Sequence, residues 1–249
     1  MNKQELYDKL KTQLAIEYNC RPEDFSRREN VVTLSAANEG RRVYADRPFF
    51  FQMATLGGNA VITADERLHP WLHEYVEDQP GHWLFEHRSL CRIDNQLKKY
   101  GKRLWQTHHM FLPDMEITPV KDLVPVRWHE QKNLHSFYAE KRFPNALCSR
   151  FMPARPDMLA VAAYDGEQII AMAGCSADTP ELWQIGIDVQ EQYRGRGIGT
   201  YLVTLLKNET IRRGKIPFYG TSLSNLPSWR IALNSGFFPA WIEVETIEE

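Results

Sequence analysis

The sequence predicts an α+β protein: a mixed, mostly antiparallel sheet flanked by helices, preceded by a smaller α+β domain. Three observations carry this. Strong apolar segments follow one another over residues 158–164, 168–177 and 181–189, with Asp165-Gly166, the chemistry of a tight hairpin, between the first two. The third segment runs through a glycine-rich loop into a helix with one apolar face. Before them lie short helices and strands of a different texture, closed by the stretch Asp114–Pro125 with its prolines Pro119 and Pro125. The expected domains are therefore 1–115 and 116–249.

Composition agrees. A chain of 249 residues, 43% hydrophobic and 25% charged, has the material of a folded globular core and is not a disordered, collagenous or coiled-coil chain. The formal charge of −2 gives no basic surface for nucleic acid or an anionic membrane. No stretch reaches the roughly 20 apolar residues of a membrane helix. The start, MNKQELYDKLKTQL, is charged throughout and has no apolar signal core, which argues against export. Cys20, Cys91, Cys148 and Cys175 are too scattered for a zinc site and read as reduced thiols of a cytoplasmic protein.

In chain order, Leu6, Leu10, Leu14 and Tyr18 recur every four residues and predict a helix over 3–18, stopped by Arg21-Pro22. Strands are expected at 31–34, 49–54 and 60–63. Helices are expected at 64–76 and 88–100, the second ending at Gly101, and a strand at 108–112. After the proline stretch a helix is expected over 129–141. The pair His69 and His73 has the i, i+4 spacing of helix-borne ligands, but Pro70 between them and the absent glutamate speak against zinc, and no metal is expected. Phe49-Phe50-Phe51 reads as a buried strand, and Trp183, Trp229 and Trp241 as core or cleft wall.

The informative segment is WQIGIDVQEQYRGRGIGT, residues 183–200. Three glycines in five residues strip side chains from main-chain N–H groups at a helix N-terminus, and Arg194 and Arg196 add charge suited to phosphate. The residues thus describe a pyrophosphate cradle. A G-x-G-x-x-G dinucleotide loop would need glycine where Thr200 stands, and a P-loop would need a lysine before it. What remains is R-x-x-G-x-G at Arg194, Gly197 and Gly199. A nucleotide or phosphosugar ligand stays open on these residues alone.

Residues 158–245 resemble the GNAT superfamily of acetyl-CoA-dependent N-acyltransferases. The strand Ile185–Val189 and the Tyr193–Gly199 loop resemble its coenzyme A motif. Asn225 followed by Gly236 and Phe237, eleven and twelve residues on, is similar to its closing N-x-x-A…G-F segment. The resemblance implies a GNAT-like fold and an enzyme that moves an acetyl group from acetyl-CoA to a primary amine of a small-molecule or peptide acceptor. By the same resemblance the strand splays from its neighbour at Ile187–Val189 and pairs with the pantetheine arm, with a main-chain N–H near Val189 polarising the thioester. Arg194, Gly195, Arg196, Gly197, Ile198, Gly199 and Thr200 hold the pyrophosphate, and Asn225 contacts the cofactor arm or caps a helix. Glu181, thirteen residues before Arg194, takes the place of the glutamate base of histone-modifying members, with a solvated turn carboxylate as the other reading. Asp188 is a second carboxylate on the same strand.

One departure stands out: the family tyrosine seven residues after its asparagine is Ala232 here. Tyr219 or Ser222 is the substitute acid. Failing that, solvent protonates the leaving thiolate, or the domain is a non-catalytic acyl-CoA-binding or sensing module. The layout is loosely similar to the two-part zwittermicin-resistance acetyltransferases, with residues 1–115 expected to cover one side of the acceptor cleft. The oligomeric state is open between monomer and homodimer.

Overall fold

The computed structural model describes residues 1–45, 47–139 and 141–247. The fold is mixed α+β, with ten mostly antiparallel strands and six α-helices among the described residues. The chain forms two compact units, Met1–His109 with Ala240–Glu249, and Met110–Pro239. The return of residues 240–249 to the first unit differs from the expected division.

In the first unit, α1 (Lys3–Glu17) begins with a reciprocal cap. Asn2 Oδ1 accepts from the Glu5 N–H, and Glu5 Oε2 accepts from the Asn2 N–H, both at 2.9 Å. Leu6, Leu10 and Leu14 are buried, as their spacing requires. The strands are β1 (Val31–Leu34), β2 (Phe51–Thr55) and β3 (Ala60–Ala64), joined by the C-terminal part of β10 (Phe237–Ile247) in the order β1-β3-β2-β10. Residues 242–245 of β10 run antiparallel to residues 52–55 of β2, which is what brings the C-terminal residues into this unit. Helices α2 (His69–Val76) and α3 (His87–Leu97) cover a core that includes Met53, Ile62, Leu72, Ile93 and Leu97. Helix α2 starts five residues later than expected because β3 runs on through Ala64 and Pro70 takes a first-turn position, where its missing N–H costs nothing. The expected strand at 108–112 is the end of a longer one, β4 (Arg103–Pro113).

The second unit contains β5 (Val126–Glu130), α4 (His135–Tyr138), β6 (Asp157–Asp165), β7 (Gln168–Ala177), β8 (Leu182–Val189), α5 (Ile198–Arg212), β9 (Ile216–Ser222) and α6 (Leu226–Asn234). The strand order is β9-β8-β7-β6-β5, with β8 and β9 parallel and the other pairs antiparallel. The hairpin loop is Gly166-Glu167, one residue beyond the expected pair, with Gly166 at φ +58°. The helix expected over 129–141 is instead the end of β5, a 3₁₀ turn and the four-residue α4. Residue 140 lies outside the described residues. Leu202 and Leu206 of α5 pack on Val161, Ala173 and Ile185 of the sheet. At the far end of that helix the buried Lys207 gives its Nζ to Asp114 Oδ1 (2.8 Å) and Thr118 Oγ1 (3.1 Å).

Candidate cofactor-binding site

The site forms where β8 loses one neighbour. Its pairing with β7 runs the length of the strand, from Ala177↔Trp183 to Ala171↔Val189, whereas its pairing with β9 extends only from Leu182↔Ile216 to Ile185↔Tyr219. Past Ile185 the two parallel strands have no further register partners among the described residues. The Gln190 N–H donates to Ile170 O at 3.0 Å. Main-chain groups alternate sides along a strand, so the N–H and C=O of Ile187 and Val189 face away from β7, into the gap. The side chains of Ile185, Ile187 and Val189 pack in the core under α5, while Gly186 and Asp188 lie on the opposite face.

The gap leads to the glycine loop. After a 3₁₀ turn at Glu191–Tyr193, Gly195 and Gly197 take left-handed φ of +74° and +81°, a region that side chains disfavour. The first bond of α5 runs from the Tyr201 N–H to Gly197 O (3.0 Å), so the N–H groups of Ile198, Gly199 and Thr200 precede the helical ladder. Gly197 at the N-cap has no side chain to satisfy them. A Cβ on Gly199 would stand 2.9 Å from Ile231 Cδ1 and 3.5 Å from Val189 Cγ2, so glycine lets the helix start close over the strand. Ile198 is buried and anchors this turn. The half-buried Thr200 accepts at its carbonyl from Thr204 Oγ1 (2.7 Å) and Ser235 Oγ (3.3 Å).

Arg194 is exposed and gives Nε to Val189 O at 3.1 Å, while Arg196, also exposed, gives Nη2 to Gln192 O at 3.1 Å and lies 5.3 Å over the Tyr193 ring. Both guanidiniums are thereby held beside the open helix end. Open N–H groups, the positive end of the helix dipole and two arginines are the chemistry that an anionic group such as a diphosphate requires. These features fit coenzyme A: a phosphate cradle at the end of a strand whose open edge can pair with an amide-bearing arm.

Tyr219, opposite Ile185 at the last β8–β9 pair, is 2% exposed. Its hydroxyl lies 2.7 Å from Ser228 Oγ, and burial holds its pKa above the usual tyrosine value, with the Ser228 bond opposing and Asp188 adding to the rise. Ser228, half-buried on α6, stands one turn before Ala232 and occupies the last place of the N-x-x-A pattern. The sequence reading did not single it out. Asn225 caps α6, its Oδ1 accepting from the Ser228 N–H at 3.2 Å.

Glu181 is exposed in the turn before β8, its N–H given to Thr179 Oγ1 and its carbonyl accepting from Ile216. At about 3.3 Å per residue it is about 26 Å from Val189 along the strand. Asp188 accepts three hydrogen bonds, from the Asn145 N–H (2.8 Å), Asn145 Nδ2 (2.6 Å) and the Ala146 N–H (2.9 Å). The cross-strand pair Gly174 and Gly186 lies under the same segment, where a Cβ on either would collide with the carbonyl of Ala146 or Asn145. Trp183 and Trp241 are buried, and Trp229 packs against the core at Phe111. His69 and His73 meet edge to face at 5.8 Å. Among the described residues no three His, Cys, Asp or Glu side chains are placed to hold a metal, and no helix is long and apolar enough to cross a membrane.

Residues 121–237 match the acetyltransferase (GNAT) family model. No curated protein matches the chain. Among solved structures, it is similar to a GNAT-family acetyltransferase structure from Novosphingobium aromaticivorans, at 16% identity and TM-score 0.47, covering 59% of this chain and 66% of that one. A GCN5-related N-acetyltransferase from Sphaerobacter thermophilus gives 12% and 0.46, covering 80% and 76%. The yncA protein of Salmonella typhimurium, solved with its cofactor acetyl-CoA, gives 14% and 0.36, covering 49% and 90%. The chain thus spans just under two thirds of the length of the first of these.

Proposed function

We propose, from the match of residues 121–237 to the acetyltransferase (GNAT) family model, that this region is a GNAT acetyltransferase domain and that the protein is an acetyl-CoA-dependent N-acetyltransferase acting on a primary amine of a small-molecule or peptide acceptor. The observation that supports it best is the departure of β8 from β9 beyond Ile185 and Tyr219, ending at the uncapped start of α5.

The main chain of Ile187 and Val189 would hold the pantetheine arm. The N–H groups of residues 197–200, with Arg194 and Arg196, would hold the diphosphate, and Asn225 lies beyond the end of β9. Acetyl-CoA supplies the activated acyl group as a thioester. The Val189 N–H, facing the gap, is a fixed donor for a developing oxyanion. Tyr219 stays protonated at working pH because burial raises its pKa, so it keeps a proton to give to a leaving group, with Ser228 linking it toward solvent. This pair would take over the work of the tyrosine missing at position 232. Glu181 enters as a base to be tested, reaching an acceptor only through solvent from its exposed turn. The four thiols, none in a disulfide, fit a cytoplasmic setting.

The test is acetyl-CoA turnover against a panel of primary amines. Transfer to at least one amine is expected, with Arg194→Ala raising the KM for acetyl-CoA about tenfold, the effect of about 1.4 kcal/mol of lost phosphate contact. An unchanged rate in Glu181→Gln removes Glu181 from the mechanism. Ala232 favours the second reading, an acyl-CoA-binding module without catalysis. Tight acetyl-CoA binding with no transfer to any amine would establish that reading instead.

A further inference from the structure

A pocket lying wholly within the first unit has polar groups to which nothing above gives a role. It is open to solvent and is bounded by the end of α1, residues 36–44 and 48–49, β2 and β10. An ion triad forms one side. The buried Arg42 gives Nε and Nη2 to Glu17 at 2.7–3.0 Å and Nη2 to Glu243 at 2.8 Å, and Trp241 Nε1 donates to Glu243 Oε2 at 2.7 Å. Arg41 also lines the pocket, its guanidinium given to the carbonyls of Arg42 and Ala45. Three carboxylates (Glu17, Glu243, Glu245) face two guanidiniums, so one negative charge is left over when all are ionised.

Two lining groups lack partners. Tyr18 is 2% exposed, yet among the described residues its hydroxyl has no hydrogen-bond partner, although it lies within the field of Glu17, Arg42, Glu243 and Glu245. The hydroxyl is not among the fully enclosed unpartnered atoms, so it opens into the pocket that Tyr18 lines. Glu245 lies opposite Gln52 in the β10–β2 register, on the same face of β10 as Glu243, and has neither ion pair nor hydrogen bond among the described residues. Gln52 gives its Nε2 to Glu17 O, which leaves its Oε1 as an acceptor. Pro48, Phe49 and Tyr44 supply an apolar wall.

We propose that this pocket binds the ammonium group of a small organic amine, with the Glu245 carboxylate as counter-ion, the Tyr18 hydroxyl oxygen as a hydrogen-bond acceptor and the aromatic wall around the apolar body. An ammonium group has three donors and no acceptor, which suits a site whose unpartnered groups can all accept. The inference concerns the first unit alone and does not depend on the acetyl-transfer reading.

Linkage gives the site a signature. Burial, with Glu243 adding to it, pushes the Glu245 carboxyl up to about 8. The ammonium takes the ionised form, so binding releases that proton and affinity rises with pH. With a competent fraction of about one tenth at pH 7 and about nine tenths at pH 9, the gain is about tenfold. The groups around Glu245 are Glu17 from α1 and Tyr18 at its C-cap, Arg41, Arg42 and Tyr44 from the following segment, Glu243 from β10, and His108, which lies within the field of Arg42 and Glu243. Glu243 and His108 are held below their usual values and Tyr18 and Arg42 above theirs, so these four keep their charge between pH 7 and 9.

The experiment is calorimetric titration of the full chain with butylamine hydrochloride at pH 7 and 9, with 1-butanol and sodium chloride as controls. Saturable binding about tenfold tighter at pH 9 is expected, weakened at least tenfold in Glu245→Gln and several-fold in Tyr18→Phe. Melting temperatures in buffer show whether each variant is folded, and Tyr18→Phe carries the test if Glu245→Gln is not. Equal binding of butanol, affinity independent of pH, or undiminished binding in the folded variants would overturn the proposal.

Discussion

Replacing Gly186 by alanine should unlock one segment from the sheet without touching the glycine loop. An added Cβ would meet the Asn145 carbonyl, standing 2.7 Å from its carbon, where ordinary carbon contacts are roughly 3.5–4.0 Å. The segment must therefore withdraw by about 1 Å. The three bonds it gives Asp188, now 2.6–2.9 Å, then stretch to about 3.6–3.9 Å, beyond hydrogen-bonding range. Losing three bonds to a carboxylate at a partly exposed site, at about 1 kcal/mol each, together with about 1–2 kcal/mol of overpacking, gives about 4–5 kcal/mol. At about 2–4 °C per kcal/mol for a chain of this size, the melting temperature should fall by about 8–20 °C. Calorimetry reads the fall, and amide exchange at Asn145 and Ala146 reads the cause. A melting temperature within about 2 °C of the parent, with those two amides still protected, would refute the reasoning.

Three further outcomes follow from the structure. Arg42→Met leaves Glu17 and Glu243 buried without their guanidinium and should cost about 3–5 kcal/mol, read by denaturant titration at pH 7. Glu245 has a folded-state pKa raised above its unfolded value, so its contribution to stability is present below about pH 4.5 and is lost as pH rises through about 8; Glu245→Gln should flatten that fall, which melting curves from pH 5 to 9 would show. Tyr219→Phe should lower kcat about a hundredfold and leave the KM for acetyl-CoA within about threefold, with Ser228→Ala giving a smaller loss in the same direction; steady-state kinetics with the best amine separates the two parameters.

What the sequence revealed and what it hid divide along physical lines. Strands β6, β7 and β8 were legible because each is long, apolar and bounded by turn chemistry. The glycine–arginine turn before α5 was legible because its pattern is local, with glycines and arginines adjacent along the chain. Strand β5 was missed, its last two residues falling inside the helix expected over 129–141, because Val126–Glu130 is a short edge strand with mostly polar, partly exposed residues and no clean alternation. The return of residues 240–249 was hidden because their partner strand lies some 190 residues earlier, and nothing in either segment names the other. The Arg42 triad was hidden for the same reason: its carboxylates lie 25 residues before it and 201 residues after it. Ser228 was masked by the pattern itself, since it stands where the family motif has alanine, and only the fold brings it within 2.7 Å of Tyr219.

The central claim is that the turn at 194–200 holds the diphosphate of coenzyme A beside the open edge of β8. A crystal structure of the protein with coenzyme A tests it most directly. Diphosphate oxygens should lie within about 3.2 Å of main-chain nitrogens among residues 197–200, with the pantetheine amides paired to Ile187 or Val189. Coenzyme A bound elsewhere, or a turn closed over by its own side chains with the ligand present in excess, would contradict the account.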